Sequence, residues 1–360
     1  MADDGRKPGT VDEDIKALFE KPEEWFDRYQ TQRRRIETLL DDHKRKRAAL
    51  EAQQKGEYEK LLGAFSDEMK EPSDELAKVA PVRTEDVEAI PRRRAAYSDR
   101  MAALLAKLSL LSYIAFEEPA KKKLLDTALE QGGLKLIAAI AVEDTEAIVV
   151  EAKDFLVVAF RGTTSKADRK TDFRISVNRV MVENHPQHVR VHAGFYSAFQ
   201  LVEERIHEAL NSVQGKSVYL TGHSLGGAVA LVASAALGGR DDIGSRIAAV
   251  YTFGSPRVGG RDFPAIVKAP HYRVVNSGDV VPLVPPSWLN GYVHTGEPYL
   301  LKNKSKKPVR RRPTGSVVIL SIRSIFLWPF SRRLLVSRAH DITLYAARLD
   351  RIARDRGRWT

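Results

Sequence analysis

The chain has 360 residues, 43% hydrophobic and 29% charged, enough for one large α/β domain with an appendage, and it holds no cysteine. That absence excludes a disulfide framework, a thiol nucleophile and thiolate metal sites. The net charge of +11 is uneven: Leu301 to Thr360 carry 16 Lys and Arg against 3 Asp, so this tail points to nucleic acid, an anionic membrane or plain solvent as its partner.

The first residues, Met1 to Lys7, lack an apolar h-region, and no uncharged apolar run approaches the ~20 residues of a spanning helix. The expectation is a soluble, cytoplasmic protein, with peripheral membrane contact and export without an N-terminal signal left open. Residues 1 to 14 are polar and read as disordered. Pro22 to Glu71 is rich in Glu, Lys, Arg, Gln, Ala and Leu, with Tyr29, Ile36, Leu39, Leu40, Leu50, Leu61, Leu62 and Phe65 at partly helical spacing. This predicts one long helix or a helical hairpin broken around Gly56, with His43 and Lys46 spoiling a coiled-coil seam. Such a segment serves as a helical cap on a second domain or as a surface for homo-oligomer formation. Pro72, Pro81 and Pro91 then mark a linker, dividing the chain into a helical extension over 1–94 and a larger domain over 95–360.

Beyond the linker, Ala102 to Ala115 reads as an apolar helix. Strand-like runs follow at 136–142, 147–151, 155–160, 217–221, 247–253, 272–275 and 292–294. Strands that give way to alternating helices and strands imply an α/β fold: a mixed, largely parallel sheet with helices on both faces.

The segment Thr221-Gly-His-Ser-Leu-Gly-Gly227 joins the strand at Ser217 to an apolar run, Ala228 to Leu237, that reads as a helix. Gly-x-Ser-x-Gly at such a junction is a nucleophile elbow. Glycines are needed there because a Cβ would clash in so sharp a turn. A serine hydroxyl is a weak nucleophile until a histidine takes its proton, and that histidine needs a carboxylate to fix its tautomer. In chain order Ser, acid, His, the histidines available after Ser224 are His271, His294 and His340. Asp279 lies past a strand in a Gly-containing turn that ends at Pro282, a suitable place to present a carboxylate above a sheet. His271 and His294 sit on strand-like runs and read as structural, whereas His340 opens a terminal helix and reads as the base. For the oxyanion, the backbone N–H of Leu225 follows the nucleophile directly. Thr163, at the end of Val157-Val-Ala-Phe-Arg-Gly-Thr-Thr-Ser165, offers a second N–H and a hydroxyl.

These pieces together resemble the fungal-type class 3 lipase family of the α/β-hydrolase superfamily. The residues carrying the resemblance are Val158-Ala-Phe-Arg-Gly-Thr-Thr164, Val191-His-Ala-Gly-Phe195, Thr221-Gly-His-Ser-Leu-Gly-Gly227, Phe253-Gly-Ser-Pro-Arg-Val-Gly259 and Arg273-Val-Val-Asn-Ser-Gly-Asp-Val-Val-Pro282. The resemblance implies hydrolysis of acylglycerols or phospholipids, with Ser224, Asp279 and His340 as triad and Thr163 and Leu225 as oxyanion hole. Departures are a charged segment at 166–174, where the family often has an aromatic lid residue, and Gly260 where Asn is common.

The segment between His294 and His340 stands outside the resemblance. Lys302 to Arg312 hold seven cationic side chains, and Ser316 to Phe330 is apolar with Trp328 and a single Arg323. Residues 302–338 therefore read either as an interfacial anchor for an anionic membrane or as a folded edge of the domain. Nucleic acid ranks below both, since no binding module accompanies the charge. The reading is a serine hydrolase of lipid esters that needs neither metal nor organic cofactor. Its rivals are a soluble short-chain esterase and a silent hydrolase fold that tethers membranes or partners.

Overall fold

The computed structural model describes residues 22–68, 81–88, 90, 96–114, 116–162, 177–181, 188–287, 291–302, 309–310 and 338–357. The expected disordered start, Thr163, the charged segment 166–174 and nearly all of the basic segment 302–338 lie outside these residues. The chain divides into two compact units, 1–60 and 61–360.

Helix α1 starts in the first unit, at Pro22, and runs without interruption to Glu68, 47 residues in all. The break expected at Gly56 does not occur. A lone glycine costs a helix only about 1 kcal/mol relative to alanine, and the Glu, Lys and Gln around it are good helix formers. Phe26, Tyr29, Ile36, Leu39, Leu40 and Leu50 are all exposed along this helix.

In the second unit, α2 (Thr84–Glu88), α3 (Asp99–Leu111) and α4 (Pro119–Glu130) precede the sheet. The side chain of Ser98 caps α3 by accepting the Met101 N–H. The described strands are β1 (Lys135–Val142), β2 (Thr145–Glu151), β3 (Phe155–Phe160), β4 (Val177–Met181), β5 (His188–His192), β6 (Ser217–His223), β7 (Ile247–Phe253), β8 (His271–Asn276), β9 (Glu297–Leu301) and β10 (Val309–Arg310). Helices α5 (Ala193–Asn211), α6 (Leu225–Leu237) and α7 (Ile342–Gly357) complete the elements. The main sheet runs β1-β2-β3-β6-β7-β8-β9-β10, and β4 and β5 form a separate hairpin. Pairing is antiparallel among β1, β2 and β3, parallel from β3 through β9, and antiparallel again at β10. This is the α/β-hydrolase arrangement expected.

Near-continuous apolar strands are explained by cover on both faces. Alternate residues go to opposite sides. Ile148, Val150, Val157, Ala159, Tyr219 and Tyr251 join α3 and α7 in one core cluster. Ala147, Val149, Leu156, Val158, Val218 and Leu220 join α5 and α6 in the other. The first cluster reaches back to Val82 and Ile90, upstream of residue 95. The strand expected at 292–294 is an isolated bridge from Val293 to Gly259, and the strand that follows β8 is β9.

Lys107 on α3 is 1% exposed and donates to the Pro81 carbonyl at 3.1 Å and to Asp86 at 2.7 Å, and it pairs with Asp350 of α7 at 2.6 Å. All three ammonium protons are thus directed to oxygens, and the contact joins segment 81–86 to both helices of that layer. Removing the cation strands two partly buried carboxylates. Lys107→Met is expected to cost roughly 3 kcal/mol of stability, the lower end for breaking a buried pair, read as a lowered urea midpoint with unchanged slope.

Candidate active site

Ser224 joins β6 to α6 with φ 56° and ψ −127°, a strained conformation for a residue with a side chain. The strain is imposed by the surroundings: the Ser224 N–H donates to the Phe253 carbonyl at 2.9 Å, and the Ser224 carbonyl accepts the Gly227 N–H at 3.1 Å. A Cβ at Gly222 would collide with the backbone of Gly226, and one at Gly226 with the Phe160 carbonyl, so the turn closes only with glycine at both positions.

The Ser224 hydroxyl donates to His340 Nε2 at 2.9 Å. On the other side of the ring, His340 Nδ1 donates to Asp279, at 3.1 Å to Oδ1 and 3.0 Å to Oδ2. The structure therefore brings together three residues that chain order had selected. Asp279 sits just beyond β8 and His340 just before α7, so both rest on ends of rigid elements. All three are buried, Asp279 and Ser224 at 6% exposure and His340 at 3%.

A surrounding shell holds them, and several of its members give no signal in sequence. The Asp279 carboxylate also accepts the Val281 N–H at 2.9 Å and the Tyr345 hydroxyl at 2.6 Å. Tyr345 itself accepts the Asn276 N–H at 2.9 Å. The segment carrying His340 is fixed by its carbonyls. Asn276 Nδ2 donates to the Ala339 carbonyl at 3.0 Å, and His223 Nε2 donates to the His340 carbonyl at 2.6 Å. Because Nε2 must be the donor there, His223 Nδ1 accepts from the Tyr113 hydroxyl, at 3.0 Å. A tyrosine on the buried face of a terminal helix is the one trace Tyr345 leaves in the sequence, and it looks like any core residue.

Leu225 is the first residue of α6, so its N–H has no intrahelical acceptor. Gly162, the last described residue before Thr163, lies against the elbow: a Cβ there would stand 2.9 Å from the His223 carbonyl. His271 and His294 lie away from Ser224, as structural histidines. His271 Nε2 is 3.0 Å from Thr252 Oγ1, and His294 Nε2 donates to the Pro282 carbonyl at 2.7 Å. Among the described residues no cluster of His, Cys, Asp or Glu could hold a metal ion, and no helix is long and apolar enough to cross a membrane.

Burial lowers the pKa of His223, helped by the His340 ring, and of His294, helped by Arg273 and Arg257; it brings His271 to about 3. The unfolded chain protonates all three near pH 6.5, whereas the fold keeps them neutral. Their contribution is complete above that pH and is lost as pH falls below it, by up to about 1.4 kcal/mol per pH unit for each histidine. Glu146 works in the opposite sense. Burial raises its pKa to about 7, so protonating it on the way down favours the fold. Three histidines outweigh one carboxyl, and unfolding free energy is expected to fall between pH 6.5 and 5. Urea titrations at fixed ionic strength check this, and a flat profile would contradict the burial of these rings.

Comparisons with known proteins find lipases among its relatives. The family Lipase (class 3) matches residues 157–288, a stretch that holds Ser224 and Asp279. A lipase of Rhizomucor miehei is 31% identical over 178 residues, 46% of this chain and 48% of that protein. The toxin TseL of Vibrio cholerae is 37% identical over 123 residues, 34% of this chain and 19% of that protein. The chain thus spans about half or less of the length of these curated relatives. Among solved structures, the lipase of Rhizopus microsporus var. chinensis superposes with a TM-score of 0.52 at 25% identity, covering 65% of this chain and 89% of its own.

Proposed function

We propose that this chain, a member of the class 3 lipase family through residues 157–288, hydrolyses carboxylic esters of lipids, acylglycerols or phospholipids, by a Ser-Asp-His mechanism. The observation that carries the reading is the continuous line of hydrogen bonds from Ser224 Oγ through the His340 ring to Asp279.

In this reading His340 Nε2 removes the Ser224 proton as Oγ attacks the ester carbonyl carbon. Asp279 stabilises the imidazolium and keeps Nδ1 as donor. The tetrahedral oxyanion is held by the Leu225 N–H at the positive end of α6 and by Thr163. His340 then passes its proton to the leaving alcohol, and an acyl-enzyme remains. Water, deprotonated by the same ring, releases the fatty acid. Every proton transfer uses groups of the chain itself.

Incubation with vesicles of mixed glycerolipids and phospholipids, with the products identified, tests the activity and assigns the head group. Labelling by an acyl-mimetic phosphonate tests the nucleophile. A covalent adduct on Ser224 and free fatty acid are expected. Neither appearing would leave a hydrolase fold without hydrolysis.

The basic segment 302–338 docks the enzyme on anionic membrane in this reading. Each Lys or Arg near such a surface contributes about 1 kcal/mol within a Debye length of roughly 8 Å. Replacing Arg310, Arg311 and Arg312 by Gln is expected to weaken binding to anionic vesicles by at most about 3 kcal/mol. Turnover of a soluble short-chain ester stays unchanged. Cosedimentation equal to the parent protein's would instead assign this segment to a folded edge of the domain.

A further inference from the structure

Helix α1 carries an apolar stripe to which the proposed chemistry gives no task. Among the described residues, six of the eight large hydrophobic side chains that stand exposed lie on this helix between Phe26 and Leu50, the other two being Leu124 and Leu201. They are not scattered round it. At about 100° per residue, Phe26, Tyr29, Ile36, Leu39, Leu40 and Leu50 fall within an arc of about 140°, one face of the helix. Each of the six is 47–61% exposed. A helix draws most of its stability from packing such a face, and a contiguous apolar patch in water marks a surface that is covered by something else.

The charges in and beside the stripe say what fits it. A heptad frame alternates Phe26, Arg33, Leu40 and Arg47 with Tyr29, Ile36, His43 and Leu50 along the seam. In a parallel, in-register pair of such helices each residue meets its own copy, so Arg33 would face Arg33 and Arg47 would face Arg47. An antiparallel pair with its two-fold axis near Thr38 avoids both clashes. It sets Phe26 against Leu50, Ile36 against Leu40 and Leu39 against its own copy. Arg47 comes to lie across from the Tyr29 ring, a favourable place for a cation, and Arg33 meets His43 instead of a second arginine. Arg33 is also drawn to the flank by Glu37 of its own helix, 3.0 Å away. On that flank Glu37 and Lys44, both exposed, approach each other across the axis, and the symmetry makes the pair twice. The stripe is thus complementary to itself, in apolar contacts and in charge, when one copy is reversed.

We infer that α1 pairs with α1 of a second copy of this chain, antiparallel, about a two-fold axis near Thr38. The contact is isologous, the same patch used by both copies, so it closes at two chains. It rests on the surface of α1 alone and on no feature of the ester chemistry.

Sedimentation equilibrium of the full chain over about 1–100 µM is expected to give a mass that rises toward twice that of one chain. Ile36→Glu/Leu40→Glu places two carboxylates in the seam and is expected to weaken association at least ~10-fold, with the main thermal unfolding transition unchanged. Direction is read by cross-linking, since the chain has no cysteine and a single introduced thiol reports on itself. Leu39→Cys, beside the axis, is expected to be joined to its copy by a short bismaleimide. Phe26→Cys is not, because its two copies stand about 36 Å apart along an antiparallel pair, at 1.5 Å per residue. A single chain across the whole concentration range, or undiminished association in Ile36→Glu/Leu40→Glu, would overturn the pairing. Cross-linking at Phe26→Cys but not at Leu39→Cys would overturn its direction. The cross-links keep the question decidable should Ile36→Glu/Leu40→Glu lose helix, because neither cysteine variant adds a charge to the seam.

Discussion

Ser224→Ala and His340→Ala are each expected to lower kcat by about 10⁴–10⁶, with little change in melting temperature. Members of a hydrogen-bonded catalytic unit are not additive, because without either partner the other two have nothing to do. The double variant should therefore be about as slow as either single one. Asp279→Asn should lose somewhat less activity but disturb the site differently. An amide cannot accept from His340 Nδ1, Val281 N–H and the Tyr345 hydroxyl together, as the carboxylate does. Part of its loss should therefore appear as lowered stability, which separates it from Ser224→Ala. Kinetics on protein purified free of host esterases, with denaturation curves for each variant, make the comparison. Wild-type turnover in Ser224→Ala would end the serine-hydrolase reading.

Gly254→Ala is expected to reduce kcat by at least ~10² while leaving the fold intact. Gly254 follows β7 with φ +58°, a backbone region that costs an L-residue roughly 1–2 kcal/mol. The larger effect is local. An added Cβ would stand 2.6 Å from Asp279 Oδ2 and 3.0 Å from His340 Nδ1, on the hydrogen bond that orients the base. The pair must separate to admit a methyl group, and misplacement on the order of 1 Å costs about 10²-fold. Because the defect is one of geometry in the reacting groups, kcat should fall with KM nearly unchanged. Full activity in Gly254→Ala would mean that the Asp279–His340 contact is not needed for turnover.

The glycine also shows where sequence reading stops. Phe253-Gly-Ser-Pro is recognisable as a motif, but nothing in it says that the glycine faces an aspartate 25 positions later and a histidine still further on. His223, written as the variable residue of Gly-x-Ser-x-Gly, anchors the His340 carbonyl across 117 positions. Tyr345 differs from any other buried tyrosine of a terminal helix only in what its hydroxyl reaches. The strand pattern failed at 292–294 for a related reason. Tyr292 is buried by packing rather than by strand pairing, while β9 begins Glu-Pro, a start that propensity alone disfavours.

What the sequence determined by itself was whatever rests on local chemistry. The elbow is legible because only glycine fits its backbone, and the core strands because runs of Val, Ile, Leu and Ala must be covered on both faces. Ser224, Asp279 and His340 are legible as candidates because nucleophile, acid and base follow a fixed order along the chain. The tertiary structure alone decided that these three meet, and which groups hold them there. It also decided that α1 passes Gly56 unbroken. The physical reason is common to all of these. Hydrogen bonds and desolvation depend on distances between residues tens to more than a hundred positions apart, and those distances exist only once the sheet and its two helical layers have closed.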